Sequence, residues 1–234
     1  MTTSSSPRCY TCRIRSCSFL QHCHRHTLDV LSDAKDHRVF KKGDVILREG
    51  DESRGLFFIQ NGVVKVQLNG VLGRPLILRL SGQGAHFGHR ITPGSRQSPY
   101  SVVAVEDTSI CFVSNENYQK LASSHAEFQN EIVASYLNEL QQVEARTLLL
   151  AHKTVRQKVA DALLKVAAAY RYQHNASGIR VHLDRQDMAD LAGTTKEQVS
   201  KILFELKEEG FLRFRAKHFK YMDTTALQRL VESC

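Results

Sequence analysis

The chain has 234 residues, of which 42% are hydrophobic and 24% charged, and its formal net charge is +8. This length and composition exclude a disordered or fibrous protein and predict one or two globular domains with a buried core. No stretch approaches the ~18 uninterrupted apolar residues of a membrane span, and the polar, basic start lacks the apolar segment of a signal peptide. We therefore expect a cytoplasmic protein with no membrane partner.

The positive charge is concentrated near the two ends of the chain. Residues 1–40 carry a net charge of +3, residues 151–234 carry +5, and residues 41–150 are neutral. A basic terminal region beside a neutral middle is typical of a polyanion-binding domain joined to a domain of another kind. The alternative is that the charge serves solubility alone.

The six cysteines are distributed unevenly. Four fall within fifteen residues near the start and two are isolated, namely Cys9, Cys12, Cys17 and Cys23, then Cys111 and Cys234. Clustered thiols in a chain without an export signal indicate metal ligands rather than a disulfide framework.

The spacing C-x2-C-x4-C-x5-C suits either an iron–sulfur cluster or zinc, because thiolates select both. Zinc is an open alternative, since the first three of these cysteines with His22 approach a zinc-knuckle spacing. Cys111 lies in an apolar segment that predicts a strand, where an isolated cysteine is usually a small buried residue. The other interpretation of Cys111 is a distant thiol that completes a cluster.

Residues 38–114 predict a compact antiparallel β-roll or barrel. Short β-rich segments alternate with Gly-Asp and Asn-Gly turns, and no helix of useful length fits between them. The predicted strands cover residues 45–47, 56–59, 63–68, 76–78 and 100–103.

Residues 115–151 predict helix, with a long uninterrupted run from about Phe128. Apolar side chains in this run repeat at steps of three and four, which is the a/d seam of a coiled coil. We expect two copies of the helix to pair and form a homodimer; the alternative is that the helix packs only on its own roll. The seam consists of Val133, Tyr136, Leu140, Val143, Thr147 and Leu150.

Residues 152–234 predict a winged helix-turn-helix. A helix over 154–172 and a short strand over 178–183 precede a helix that Asp184 caps and Gly193 ends. Thr194 opens the next helix and forms a capping box with Glu197, and a basic hairpin over 210–220 follows as a wing. Two helices joined by a short turn that contains glycine are typical of DNA-binding proteins.

The outward face of the second of these helices carries groups that can read DNA bases. Glu197, Ser200 and Lys201 lie together at i, i+3 and i+4, and Phe204 also points outward. A carboxylate, a hydroxyl and an ammonium group can each bond base edges in a major groove. The alternative is a solvated face on which Glu197 only caps its helix. The predicted DNA-contacting residues are Arg185, Thr195, Lys196, Glu197, Ser200, Lys201 and Lys217.

No enzymatic activity is expected. The sequence has no phosphate-binding glycine loop, no nucleophile elbow and no metalloprotease helix. The alternative is an enzyme whose site these patterns do not reveal.

The roll, the dimerising helix and the winged helix-turn-helix, in that order, resemble the CRP/FNR family of bacterial transcription regulators over nearly the whole chain. The resemblance rests on KGDVI at 42–46, EGD at 49–51, NGVVKV at 61–66 and RQDMADLAGTTKEQVSK at 185–201. It implies an α+β chain that binds double-stranded DNA and RNA polymerase. The implied domains are a cluster-binding segment (1–37), a sensor roll (38–114), a dimerisation helix region (115–151) and a DNA-binding domain (152–234).

The oxygen-sensing FNR branch fits better than the cyclic-nucleotide branch. The nucleotide branch has a Gly-Glu pair followed by Arg-Ser or Arg-Thr in its phosphate pocket, where this chain has Gly88-His89 and then Gln97-Ser98. FNR members hold a 4Fe-4S cluster through three N-terminal cysteines and one from the roll.

The implied cluster ligands are only partly determined. Cys17 and Cys23 match the Cys-x5-Cys of the FNR branch, and Cys111 falls where the distant ligand is expected. Ile14 stands where the branch has its remaining cysteine, so either Cys12 or Cys9 must supply that ligand.

The FNR resemblance implies a homodimer whose DNA binding depends on a cluster that oxygen or nitric oxide attacks. It further implies an inverted repeat of half-sites related to TTGAT. Lys201 stands where FNR commonly has arginine, and lysine cannot make the planar two-pronged contact with guanine. Within this fold the alternatives are a zinc or thiol redox site, or a response to a small nucleotide-like ligand.

Overall fold

The computed structural model describes residues 7–70, 73, 75–88, 97–173 and 178–233. The chain divides into two compact units, Met1–Val64 with Ser81–Val143 and Lys65–Leu80 with Glu144–Cys234. The predicted α+β architecture is confirmed, with antiparallel sheets first, then a long helix and a C-terminal helix-turn-helix. None of the described helices is long and apolar enough to cross a membrane.

The first unit begins with a segment for which the sequence predicted no regular structure. Three short 3-10 turns, Cys9–Thr11, Arg15–Cys17 and Phe19–His22, lead into helix α1 (Arg25–Ala34). Leu28 and Leu31 on α1 are buried at i and i+3. The first strand, β1 (Lys35–Phe40), follows directly, so the roll starts three residues earlier than predicted.

The described residues between 35 and 114 include eight short strands, and each predicted strand overlaps one of them. One sheet has the order β1-β8-β3-β6, and β3 and β8 pair so that Phe58 lies opposite Cys111. In the first unit β2 also pairs with β7, whereas β4 and β5 are neighbouring strands that lie mainly in the second unit. The bounds are β2 Val45–Leu47, β3 Gly55–Asn61, β4 Val64–Asn69, β5 Pro75–Ser81, β6 His86–Phe87, β7 Ser101–Ala104 and β8 Thr108–Ser114.

The helix predicted over 115–151 is confirmed with one break. Helix α2 (Asn115–Ser124) is capped by Ser114, whose hydroxyl accepts a hydrogen bond from the Asn117 N–H. Helix α3 (Ala126–His152) starts after an extended residue, His125. Residues from the N-terminal segment, the β1-β8-β3-β6 sheet and all three helices form the core of the first unit, which includes Cys9, Cys23, Leu28, Phe58, Cys111, Leu121, Phe128 and Ile132.

The second unit contains the predicted winged helix-turn-helix. A three-stranded sheet of order β10-β11-β9 packs beside its helices, and the predicted strand over 178–183 is shortened to two residues. The elements are α4 Val155–Ala169, β9 Ile179–Arg180, α5 Arg185–Ala192, α6 Lys196–Glu208, β10 Leu212–Arg215, β11 His218–Met222 and α7 Thr224–Glu232.

The turn between α5 and α6 corrects one prediction. Gly193 ends α5 in the left-handed conformation with φ +66°, as expected. The Thr194 N–H then bonds the Ala189 carbonyl (3.0 Å), which assigns Thr194 to the end of α5. Thr195, not Thr194, caps α6, and its hydroxyl accepts from the Gln198 N–H. The predicted capping box between Thr194 and Glu197 is therefore wrong.

Candidate functional sites

Helix α6 presents a polar face opposite its buried side. Its buried side chains follow the helical period, and the opposite side is exposed. The exposed residues include Thr195 at the cap and then Lys196, Glu197, Ser200, Lys201 and Phe204. The structure thus brings together the predicted base-reading residues on one side of one helix.

The charged groups on this face remain available to a ligand. Hydrogen bonds from its own backbone N–H and from Thr195 hold the pKa of Glu197 below its usual range, so this carboxylate is ionised at neutral pH. The Lys201 ammonium lies 4.0 Å from Glu205 and is 76% exposed. Ser200 donates to the Lys196 carbonyl at 2.9 Å. Glu197 therefore stabilises the first turn of α6 while its carboxylate stays in solvent.

Arg185 differs from the other predicted DNA contacts. Its guanidinium carbon lies 5.5 Å from the centre of the Phe214 ring on β10, and burial lowers its pKa. Phe214 in turn stacks on Phe219 of β11. Arg185 thus joins α5 to the wing rather than standing free on the surface.

The wing is basic at its tip. Lys217 lies in the turn between β10 and β11 next to Ala216, which adopts a positive φ of 52°. The Lys217 side chain is exposed and reaches the His182 carbonyl at 3.4 Å. Arg213, Arg215 and Lys220 are also exposed, so the wing can contact phosphate groups.

A small cavity in the first unit is lined by three of the predicted metal ligands. Cys9 and Cys12 reach it from the N-terminal segment, and Cys111 reaches it from β8. Arg15 and Lys35 also line it, whereas its remaining walls are apolar. Sequence reasoning missed these two cations because nothing in their local sequence marks them as neighbours of the thiols.

The other two N-terminal cysteines occupy different surroundings. Cys23 is buried in the same core as Cys9 and Cys111, and burial, followed by Glu127 and Glu131, raises its pKa to about 12. Cys17 does not line the cavity. Its thiol bonds the Ile14 carbonyl at 3.1 Å and lies against Gly84.

The donors near the cavity do not suit zinc and an iron–sulfur cluster equally. Among the residues that the structure describes, no three His, Cys, Asp or Glu side chains are arranged to hold a single metal ion. A structural zinc site needs four such close ligands. An iron–sulfur cluster distributes its thiolates over several iron atoms and is anionic, so separated thiols beside two cations suit it better in charge and donor type.

An apolar row on α3 is exposed. Val133, Leu137, Leu140 and Val143 are each about half exposed, and in the second unit Thr147 and Leu148 are exposed as well. Tyr136 instead packs against the core of the first unit. The exposed row therefore has Leu137 where the predicted seam has Tyr136.

The last predicted seam residue also has a different environment. Leu150 is partly buried, and its Cδ2 atom lies so close to Gly193 that a Cβ there would meet it at 2.9 Å. Leu150 thus packs against the turn between α5 and α6. A heptad pattern reports which residues are apolar, but it does not separate a surface seam from contacts inside the unit.

Comparison with known proteins identifies both halves of the chain. Residues 37–125 match the cyclic nucleotide-binding domain, and residues 157–230 match the Crp-like helix-turn-helix domain. The transcriptional activator protein FnrL of Cereibacter sphaeroides is 25% identical over 230 residues, which cover 96% of this chain and 91% of that protein. The chain belongs to the CRP/FNR family of transcription regulators.

Other members of the CRP/FNR family are similar to a comparable degree. The cyclic AMP receptor protein of Thermus thermophilus is 29% identical over 176 residues, 75% of this chain and 79% of that protein. The structure of FixK2 from Bradyrhizobium japonicum has a TM-score of 0.76 at 24% identity and covers 86% of this chain and 98% of its own. These relatives are regulators rather than enzymes. CRP/FNR regulators bind DNA and usually function as dimers.

Proposed function

We propose that this CRP/FNR regulator is a homodimer whose DNA binding is controlled by a 4Fe-4S cluster that oxygen or nitric oxide destroys. The observation that supports it is the cavity where Cys9 and Cys12 of the N-terminal segment meet Cys111 of β8. When bound, the cluster would supply a redox centre that small oxidants attack. Such a regulator acts where its DNA is, in the bacterial cytoplasm.

The residues that would hold the cluster are Cys12, Cys23 and Cys111, with Cys9 as the fourth ligand. Cys9, Cys12 and Cys111 line the cavity, and Cys23 lies in the same core as Cys9 and Cys111. Cys17, which the FNR spacing implies, belongs neither to the lining nor to that core. The guanidinium of Arg15 and the ammonium of Lys35 would offset the negative charge of the bound group. Cys23 would bind as a thiolate because iron replaces its proton.

A short series of contacts connects the cavity to the dimerisation helix, α3. The Cys9 N–H donates to Ser32 of α1 at 2.7 Å, which ties the N-terminal segment to that helix. On α1, Thr27 donates a short hydrogen bond to Glu127 of α3. Phe19 also contacts Phe128 of α3, with ring centres 5.7 Å apart. If the cluster were lost, it would no longer hold the N-terminal segment in place, and the packing around the start of α3 would therefore become looser.

The cluster is tested by metal analysis of protein purified without air. We expect about four iron and four inorganic sulfide atoms per chain and a brown colour that bleaches in air. Cys9→Ser and Cys111→Ser should lose most of the iron, whereas the matched variant Cys17→Ser should keep it. Bound zinc, or full iron in Cys111→Ser, would overturn the proposal. Loss of iron in Cys17→Ser but not in Cys9→Ser would restore the FNR ligand set.

We also propose that α6 of each protomer enters a major groove and reads an inverted repeat of TTGAT-related half-sites, with RNA polymerase as a further partner. Glu197, Ser200 and Lys201 would contact base edges, and Lys196 and Lys217 would contact phosphates. The exposed α6 face and the basic wing support this placement.

Two variants separate base reading from phosphate contact. Glu197→Ala should cost about 1–3 kcal/mol on the preferred sequence and little on random DNA. Lys217→Ala should weaken binding to both and reduce the dependence on salt. Both affinities can be measured by fluorescence anisotropy at two salt concentrations. Equal losses on both DNAs for Glu197→Ala would mean that this residue only stabilises its helix.

A second candidate is control by a small nucleotide-like ligand, because residues 37–125 match the cyclic nucleotide-binding domain. The position where the sequence lacks the expected carboxylate, His89, lies outside the described residues. Calorimetric titration of the metal-free protein with cyclic AMP tests this candidate. Saturable binding that strengthens DNA affinity would favour it over the cluster.

A further inference from the structure

Phe204 on α6 is an exposed aromatic side chain in an otherwise polar setting. It is 61% exposed. Within 144–173 and 178–233, the described C-terminal part of the chain, no other phenylalanine or tyrosine ring is exposed. Phe219 is buried and stacks with Phe214, for example. The domain therefore packs its other rings and leaves this one in water.

The position of Phe204 on the helix places it among the predicted base-reading residues. Phe204 follows Glu197 by seven residues, so the two side chains point in nearly the same direction, two turns apart. Its direction falls between those of Ser200 and Lys201. The two turns span about 10 Å, which is close to three base-pair steps along DNA. The ring thus extends the reading face toward a base pair beyond those near Glu197.

The surroundings of Phe204 favour a small apolar target over a protein partner. Lys201, Lys207 and Glu208 are exposed near it, so the ring does not belong to a larger apolar patch. In a major groove the apolar group on a base edge is the C5-methyl of thymine, and phenylalanine is one of the side chains that contacts it.

We propose that Phe204 is a specificity-determining residue that recognises thymine through its C5-methyl group. This inference rests on the proposed placement of α6 in the major groove. Glu197, Ser200 and Lys201 read hydrogen-bonding groups, and Phe204 adds an apolar contact at the far end of the same face. The half-site should therefore contain a thymine whose methyl group, rather than its carbonyl oxygens, determines affinity.

The test replaces single thymines by deoxyuridine, which removes only the methyl group. The DNA is a duplex that the full-length protein selects from a randomised pool, and affinity is measured by fluorescence anisotropy. Each half-site should contain one thymine whose exchange, made in that half-site alone, weakens wild-type binding about fourfold, the factor for one buried methyl group. Phe204→Ala removes the contact from both protomers, so it should bind the thymine duplex with the loss that exchange in both half-sites causes, about 16-fold, and should be insensitive to the exchange. Phe204→Leu should keep part of the sensitivity.

Control variants separate this inference from the proposed function. Lys207→Ala removes an exposed cation from the same helix and should retain the full sensitivity to deoxyuridine. If Phe204→Ala is as sensitive as the wild type at every thymine, the inference is wrong even when Glu197→Ala still separates selected from random DNA. If Glu197→Ala and Phe204→Ala each weaken binding to selected DNA and to random DNA by the same factor, the placement of α6 in the groove is wrong.

Discussion

The ammonium of Lys65 lies 2.6 Å from a carboxylate oxygen of Asp187, and both side chains are about four-fifths buried. This pair joins strand β4 to helix α5 within the second unit. The other oxygen of the Asp187 carboxylate accepts from the Asp184 N–H at 3.1 Å and completes the capping box of α5. One carboxylate therefore caps the first helix of the helix-turn-helix and attaches it to a strand.

Lys65→Met should destabilise α5 because it leaves the largely buried Asp187 carboxylate without its cation. We expect a loss of about 2 kcal/mol in the free energy of unfolding. Urea denaturation followed by circular dichroism measures this loss, and faster amide exchange across Arg185–Ala192 locates it. The exposed pair of Lys120 with Glu116 serves as the control, since Lys120→Ala should cost clearly less. Equal losses in the two variants would mean that the Lys65 pair is not protected from solvent.

Arg146 of α3 is a second cation that holds the same region. Its guanidinium donates to the backbone carbonyls of Ile77, Leu78 and Leu191 at 2.7–3.0 Å, and burial lowers its pKa. Arg146→Met leaves these carbonyls without that donor and should cost about 3 kcal/mol or more. Arg146→Lys should recover only part of this loss, because one ammonium cannot reproduce the hydrogen bonds that the planar guanidinium donates to the three carbonyls. Thermal unfolding measures the stability of both variants. Full recovery of stability in Arg146→Lys would show that the planar geometry of the guanidinium is not needed.

Gly84 fixes the approach of the N-terminal segment to the roll. Its φ is +89°, and a Cβ at this position would lie 2.4 Å from the Cys17 carbonyl oxygen. Gly84→Ala should therefore destabilise the protein by roughly 1–3 kcal/mol and expose Cys17 to alkylation. Gly43 has a similar φ of +91° with open space around it, so Gly43→Ala reports the backbone strain alone. An equal alkylation rate of Cys17 in the two variants would rule out displacement of the segment.

The exposed row on α3 should form the dimer interface. Leu140 is 54% exposed, and an aspartate there would face its symmetry mate and be both repelled and desolvated. We expect Leu140→Asp to be monomeric even when the metal site is loaded. Asn138→Asp adds the same charge at an exposed position on another side of the helix and should remain dimeric. Sedimentation velocity compares the two, and a dimer of Leu140→Asp would place the interface elsewhere.

The ion pair between Arg156 and Glu209 should make the C-terminal domain less stable in acid. Arg156 of α4 holds the Glu209 carboxylate at the end of α6 with two hydrogen bonds, which lower the pKa of Glu209 below its usual range. The folded pKa is below the unfolded one, so the contribution is present at neutral pH and is lost as pH falls through the lowered value, below about 4.5.

The size of this effect is limited by solvent. The Glu209 side chain is 44% exposed, so the pair should contribute under about 1 kcal/mol. Glu209→Gln should lower the free energy of unfolding at neutral pH by this amount and remove this part of the acid dependence, so that the two proteins become equally stable in acid. The free energy of unfolding, measured by denaturation at a series of pH values from neutral to acid, checks this prediction. If it falls with pH equally steeply in both proteins, the pair makes no contribution that depends on the ionisation of Glu209.

Local chemistry in the sequence determined most of the architecture. Asn-Gly and Gly-Asp turns separate the strands of the roll, since few other residues adopt the positive φ that such turns need. Asp184 and Gly193 marked the two ends of α5 because a side-chain cap and a left-handed stop act within a few residues. The outward positions of α6 followed from periodicity alone. Helix α1, with only ten residues and no capping side chain, gave no comparable signal.

Only the tertiary structure decided which thiols meet and which apolar residues stay exposed. Cys9 and Cys12 reach Cys111 because the N-terminal segment folds over β8, about a hundred residues away in the chain. On α3, Tyr136 and Leu137 are both apolar and adjacent, yet the first packs on the core and the second stays in solvent. Local spacing and periodicity describe one segment at a time, whereas burial depends on what other segments cover it.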